Sequence, residues 1–184
     1  LNGIHFNART TLVIKNFTII SFCDGMNFTN SINNSILDNT IINSSEQGIE
    51  IGNGNDNIIS NNVFTNNGRE AIVIWYSVDD VISNNVFTDN GKPTQNSDHW
   101  SIRLYQSDGF SITGNTITTT GITQPAAPNG GKGIFGSLNT DGIAIIENNN
   151  ISNMYQAIQG NGYYTDSLIE IKNNVIDSNY QGSE

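Results

Sequence analysis

The sequence predicts an all-β chain wound as a parallel β-helix, a solenoid of about seven coils, and three observations predict it. First, Asn61-Asn62-Val63-Phe64-Thr65 returns 23 residues later as Asn84-Asn85-Val86-Phe87-Thr88. Second, the weaker copies around Asn39, Asn115, Asn149 and Asn174 extend one register over the chain, with Asn spacings of 23, 23, 30, 34 and 25 from Asn39 onward. Near-equal coils with two long ones are what a stack of similar turns with two loop insertions gives. Third, a small residue followed by apolar-x-apolar recurs in the other half of each coil. Examples are Gly3-Ile4-His5-Phe6, Gly25-Met26-Asn27-Phe28, Gly48-Ile49-Glu50-Ile51, Ala71-Ile72-Val73-Ile74 and Ser101-Ile102-Arg103-Leu104. That alternation is a short strand with every second residue inward.

Each element of the repeat has a physical reason. The apolar columns Ile14, Ile36, Ile59, Ile82, Ile112, Ile146, Ile171 and Ile19, Ile41, Phe64, Phe87, Ile117, Ile151, Ile176 supply a long, thin core. Between them runs Phe17, Asn39, Asn62, Asn85, Asn115, Asn149, Asn174. Asn tolerates left-handed backbone angles and bonds neighbouring backbone. Stacked on itself it forms a ladder of amides, as in cross-β stacks. A buried amide without partners costs roughly 1–3 kcal/mol, so the ladder must be continuous. Phe17 interrupts it only in the first coil. Seven coils at about 4.8 Å each make a rod of roughly 34 Å.

With its Asn-Asn turns and Gly-Ile-x-Ile/Phe strands, the chain resembles the right-handed parallel β-helix proteins of the pectin-lyase-like group. The resemblance covers nearly the whole chain and implies a single-stranded, right-handed solenoid, the hand also favoured for parallel crossovers. The group includes polysaccharide lyases, glycoside hydrolases, uronan epimerases, phage tailspikes and non-catalytic surface repeats. It implies a glycan substrate lying along the strand that follows the small residue. Its lyases use an Arg or Lys base, often with calcium or a basic group to neutralise the uronate. Calcium is therefore the cofactor that the resemblance brings.

The composition narrows the choice of partner. About one residue in six is Asn, and only 13% are charged. The net charge of −10 argues against nucleic acid, since phosphate contacts need basic side chains. Cys23 stands alone, so no intramolecular disulfide is expected, and it reads as a small core residue. No long apolar run predicts a membrane span. Residues 1–184 read as one domain, either whole or a fragment of a longer protein. The expected location is extracellular or on the cell surface. Apparently uncapped ends suggest self-association.

Residues 66–105 carry the candidate chemistry. With Ile72, Ile74, Ile102 and Leu104 inward, Val73, Trp75, Arg103 and Tyr105 face outward. Trp75 and Tyr105 share a column on adjacent coils, and Glu50 shares one with Arg103 two coils away. The insertion of residues 89–100 brings Lys92, Asp98, His99 and Trp100 to this strand, and a second one, residues 118–132, enters the next coil from the same side. Arg69, Lys92, Arg103 and Lys132, four of the seven Lys and Arg, cluster here. Aromatic faces beside charged groups suit sugars. The expected catalytic residues are Arg103, His99, Asp98 and Glu50. The expected substrate contacts are Trp75, Tyr105, Lys92 and Trp100, and no protein metal cluster is evident. The plain alternative is that these aromatics pack under the long loops.

Two tempting motifs fail. Asn139-Thr140-Asp141-Gly142 matches a polygalacturonase signature, but Asp56, Asp80, Asp108 and Asp141 all fall in turns between strands, where Asp suits the geometry. The other signatures of that enzyme class are missing. Asp98-His99 is a two-residue echo of an epimerase motif. Two functions remain: an extracellular carbohydrate-active β-helix that binds an acidic polysaccharide, with or without cleaving it by lyase or glycosidase chemistry, or a non-catalytic structural or recognition repeat of a cell-surface or phage fibre protein. Ice binding would need flat arrays of Thr, and no all-Thr column is found.

Overall fold

A computed structural model describes residues 1–91, 99–120, 131–140, 142–162 and 166–177. Among them the strands form three parallel sheets of seven, each made from one strand per coil. The first sheet holds Ile4–Asn7, Met26–Thr29, Ile49–Gly52, Ile72–Trp75, Trp100–Tyr105, Lys132–Leu138 and Gln156–Gly162. The second contains the Ile14 column and the third the Ile19 column, so each coil has three strands. The repeats seen in the sequence are in register: Phe64 lies against Phe87, and Phe87 against Ile117.

The core is a stack of like on like. Ile36, Ile59, Ile82, Ile112 and Ile146 are fully buried, as are Ile41, Phe64, Phe87, Ile117 and Ile151. The rings of Phe64 and Phe87 stack 4.9 Å apart at 5°. Each fully buried side chain of this size contributes roughly 1.5–3 kcal/mol. In the last coil the same columns come to the surface, where Ile171 and Ile176 are 42% and 37% exposed.

The Asn-Asn pair divides its labour. The residue before each ladder Asn takes the left-handed conformation: Asn16, Asp38, Asn61, Asn84, Gly114, Asn148 and Asn173 all have positive φ. The ladder Asn itself is buried and bonds from coil to coil. The side-chain oxygen of Asn85 accepts from both the backbone N–H (2.8 Å) and the amide of Asn62 (3.0 Å). The steps from Asn39 to Asn62, Asn85 to Asn115, Asn115 to Asn149 and Asn149 to Asn174 repeat this pattern. Phe17 still donates its N–H to Asn39 (3.0 Å), which is how the ladder tolerates a Phe in the first coil.

Two shorter ladders escaped the sequence reading. One joins Asn34, Asn57 and Asp80, and the other Asn67 and Asn90. Asp80 lies in the turn between strands, as expected, and there it is 1% exposed and accepts from the N–H and amide of Asn57. Its other oxygen is buried with no hydrogen-bond partner among the described residues. Burial pushes the Asp80 carboxyl above its ordinary value and the charge of Asp56 adds to this, outweighing the hydrogen bonds from Ser77 and Asn57. Because the folded value lies above the unfolded one, folding takes up a proton, and stability falls as pH rises from the ordinary aspartate range through the raised value. Asp80→Asn is therefore expected to be more stable than wild type at neutral pH, because it removes the buried charge. Urea melts across pH would show that gain shrinking as the solution is acidified. A pH-independent difference would contradict the assignment. Cys23 is also a correction: it is partly exposed rather than a core residue.

Candidate glycan-binding site

The outer face of the first sheet is built of columns. One reads Asn27, Glu50, Val73, Arg103, Phe135 and Gln159, each paired in register with the next. Beside it, Trp75 is in register with Gly52 on one side and Tyr105 on the other. On the opposite flank, Trp100 pairs with Lys132 and Lys132 with Gln156. The face turns inward at a small residue. A Cβ on Gly48 would lie 2.5 Å from the Ala71 carbonyl oxygen and 3.0 Å from the Phe64 ring, so this corner requires glycine.

Arg103 is the centre of the face. Its guanidinium carbon lies 5.5 Å from the Trp75 ring, 5.8 Å from Tyr105 and 5.6 Å from Phe135. One terminal nitrogen is 3.4 Å from an oxygen of Glu70. The same oxygen is 3.7 Å from Nδ1 of His99. Glu70 is 3% exposed, and its second oxygen accepts from the Gln47 amide at 3.4 Å. Burial pushes the Glu70 carboxyl up, but the hydrogen bond from His99, the backbone N–H and the charges of His99 and Arg103 outweigh it and hold the group below its ordinary value. Glu50 shows the opposite balance. Burial, then the charges of Asp24 and Glu70, push its carboxyl up, while Asn27 donates to it at 2.6 Å.

The structure thus brings Glu50, Trp75, His99, Arg103 and Tyr105 onto one face, as the column reading expected. Trp75 and Tyr105 meet edge to face, with ring centres 5.6 Å apart. Trp100 is the first residue of its strand rather than part of the insertion, and it is only 2% exposed. Its ring packs 5.4 Å from Phe135 and lies under the Lys132 ammonium at 5.0 Å. Val73 faces outward by register yet is fully buried between Glu50 and Arg103. Arg69, counted with the cluster, pairs with Glu46 at 2.7 Å. Lys92 and Asp98 lie outside the described residues, as does Asp141.

Glu70 and Phe135 were missed. Phe135 lies on a column legible in the sequence, in register after Arg103, whereas Glu70 precedes the corner residue Ala71 and the start of its strand. Two donors on this face, the indole N–H of Trp75 and Nε–H of Arg103, are buried with no acceptor among the described residues. Among the described residues no three His, Cys, Asp or Glu side chains group to hold a metal ion. Also among them, no helix is long and apolar enough to cross a membrane.

Comparison with known proteins bears on the fold. Among solved structures, the chain is similar to PfbA, a surface adhesin of Streptococcus pneumoniae, with a TM-score of 0.63 and 14% identity over 98% of this chain. It spans 58% of that adhesin chain. It is also similar to an alginate lyase from Paenibacillus, with a TM-score of 0.61 and 16% identity over 98% of this chain and 75% of the lyase. Comparison with curated proteins gives no match. The pattern of the family described as right-handed beta helix region matches residues 2–158, so the chain belongs to the right-handed β-helix family, with the pectin-lyase-like fold that the resemblance implied.

Proposed function

We propose that the outer face of the first sheet binds a polysaccharide, with an acidic one as the preferred class, outside the cell or on its surface. The observation that supports this most is the partly exposed Arg103 held among Trp75, Tyr105 and Phe135. Aromatic edges and faces take the apolar surface of a sugar ring, and a fixed guanidinium takes its carboxylate or hydroxyls. The likeness to a surface adhesin and an alginate lyase agrees with a glycan role and a location outside the cytoplasm.

Binding is the stronger half of the reading. Cleavage needs a group free to move a proton at the substrate, and Glu70 and His99 are 3% and 8% exposed. That burial favours a second reading, a non-catalytic recognition repeat using the same face. Titrating uronans and neutral glycans against tryptophan fluorescence, with product absorbance read in parallel, separates the two. Wild type is expected to bind at least one uronan, and Arg103→Ala to weaken it about tenfold or more, the loss of a hydrogen bond to a charged group. No binding across the panel would sink the proposal. Binding without unsaturated products or reducing ends would leave the recognition repeat.

A further inference from the structure

We propose that Glu70 is the positioning residue of this face: it fixes the Arg103 guanidinium in the orientation that meets the glycan. The inference rests on the binding reading above and adds a residue that the reading did not use.

The rings around Arg103 attract its charge but do not set its direction, because attraction to a ring face tolerates rotation of the guanidinium. Direction comes from hydrogen bonds, and Glu70 supplies the one made by the Arg103 side chain among the described residues. Glu70 is itself held from the coil before. Its second oxygen accepts from the Gln47 amide, and the Gln47 backbone N–H donates to Asp24 at 3.4 Å. A chain of polar contacts therefore runs up the flank of the sheet from Asp24 through Gln47 and Glu70 to Arg103. His99 enters it at the same carboxylate oxygen, 3.7 Å away.

Electrostatics agrees with that geometry. Glu70 is held ionised despite its burial, so it acts as an acceptor and a counter-charge. It is too covered to touch a sugar, and its role must pass through the partners it holds. The glycan would then meet a guanidinium whose free edge points one way, with much of its charge already balanced.

The test uses the full chain as wild type, Glu70→Ala, Glu70→Gln, Arg103→Ala and the Glu70→Ala/Arg103→Ala double variant. Side-chain NMR of the Arg103 Nε–H group reads its order without any ligand. Fluorescence titration with the uronan bound by wild type reads affinity. In Glu70→Ala the Arg103 signal should lose its order, and affinity should fall about tenfold, close to the effect of Arg103→Ala. The double variant should bind no worse than either single one, because both remove the same contact. Glu70→Gln keeps the shape and an acceptor oxygen, so Arg103 should stay more ordered than in the Ala variant. This variant also carries the test if Glu70→Ala does not fold. An Arg103 side chain equally rigid in wild type and both Glu70 variants would overturn the proposal. So would independent losses that multiply in the double variant. If wild type binds no uronan or neutral glycan, the binding reading fails by itself, and the Arg103 signal still decides whether Glu70 orients the guanidinium.

Discussion

Asn85→Ala should remove about 4 kcal/mol of stability, a large share of what a domain of this size possesses. The figure follows from the groups left behind. The Asn62 N–H loses the oxygen that it donates to at 2.8 Å, and the Ile59 carbonyl loses the amide 2.9 Å away. Both lie at the buried centre of the ladder, where Asn62 and Asn85 are 0% exposed. An orphaned buried group costs about 1–3 kcal/mol, and here there are two, besides a small cavity. Equilibrium urea unfolding measures the loss. A change below about 1 kcal/mol would mean that the amides are solvated or replaceable, and the ladder would not be what holds the coils in register.

Gly48→Val is expected to be the second severe change, by about 3 kcal/mol, at or above the usual range for overpacking. The added Cβ would meet the Ala71 backbone oxygen at 2.5 Å, and a backbone atom cannot swing aside as a side-chain tip can. The coils must separate at that corner. Ala71 follows Glu70 directly, so the same strain reaches the carboxylate that contacts Arg103. The variant should therefore lose uronan binding along with stability, whereas an exposed change such as Thr116→Ser should lose neither. Thermal melts and fluorescence titration on the same samples check both halves. A Gly48→Val protein as stable as wild type would show that the corner can open freely.

The fold was legible because its repeat is redundant. Ile59, Ile82 and Ile112, or Asn62, Asn85 and Asn115, each state the same register, so one irregular residue such as Phe17 cannot hide it. The outward positions carry no such redundancy. Trp75, Arg103 and Tyr105 could be aligned because each follows an inward Ile or Leu at fixed spacing. Glu70 sits before the small corner residue, where simple alternation breaks: Ala71 and Ile72 are both buried in the core. The strand reading stopped there and lost it. The ladder role of Asp80 in its turn went unseen for a related reason. Turns and ladders use the same residue types, and only the neighbouring coils decide whether an Asp points out to water or in to an amide.

The asparagine spine has a direction. At every step the earlier coil donates and the later coil accepts, from Asn39 through to Asn174. Each rung offers its successor the same two donors, so the stack has no built-in length. A cassette such as residues 62–84 could be duplicated or excised with all three sheets still in phase. The rod then works as a ruler, whose length can be adjusted in increments of about 4.8 Å, and because residues 62–84 carry Glu70, Val73 and Trp75, altering that cassette would also alter the aromatic face.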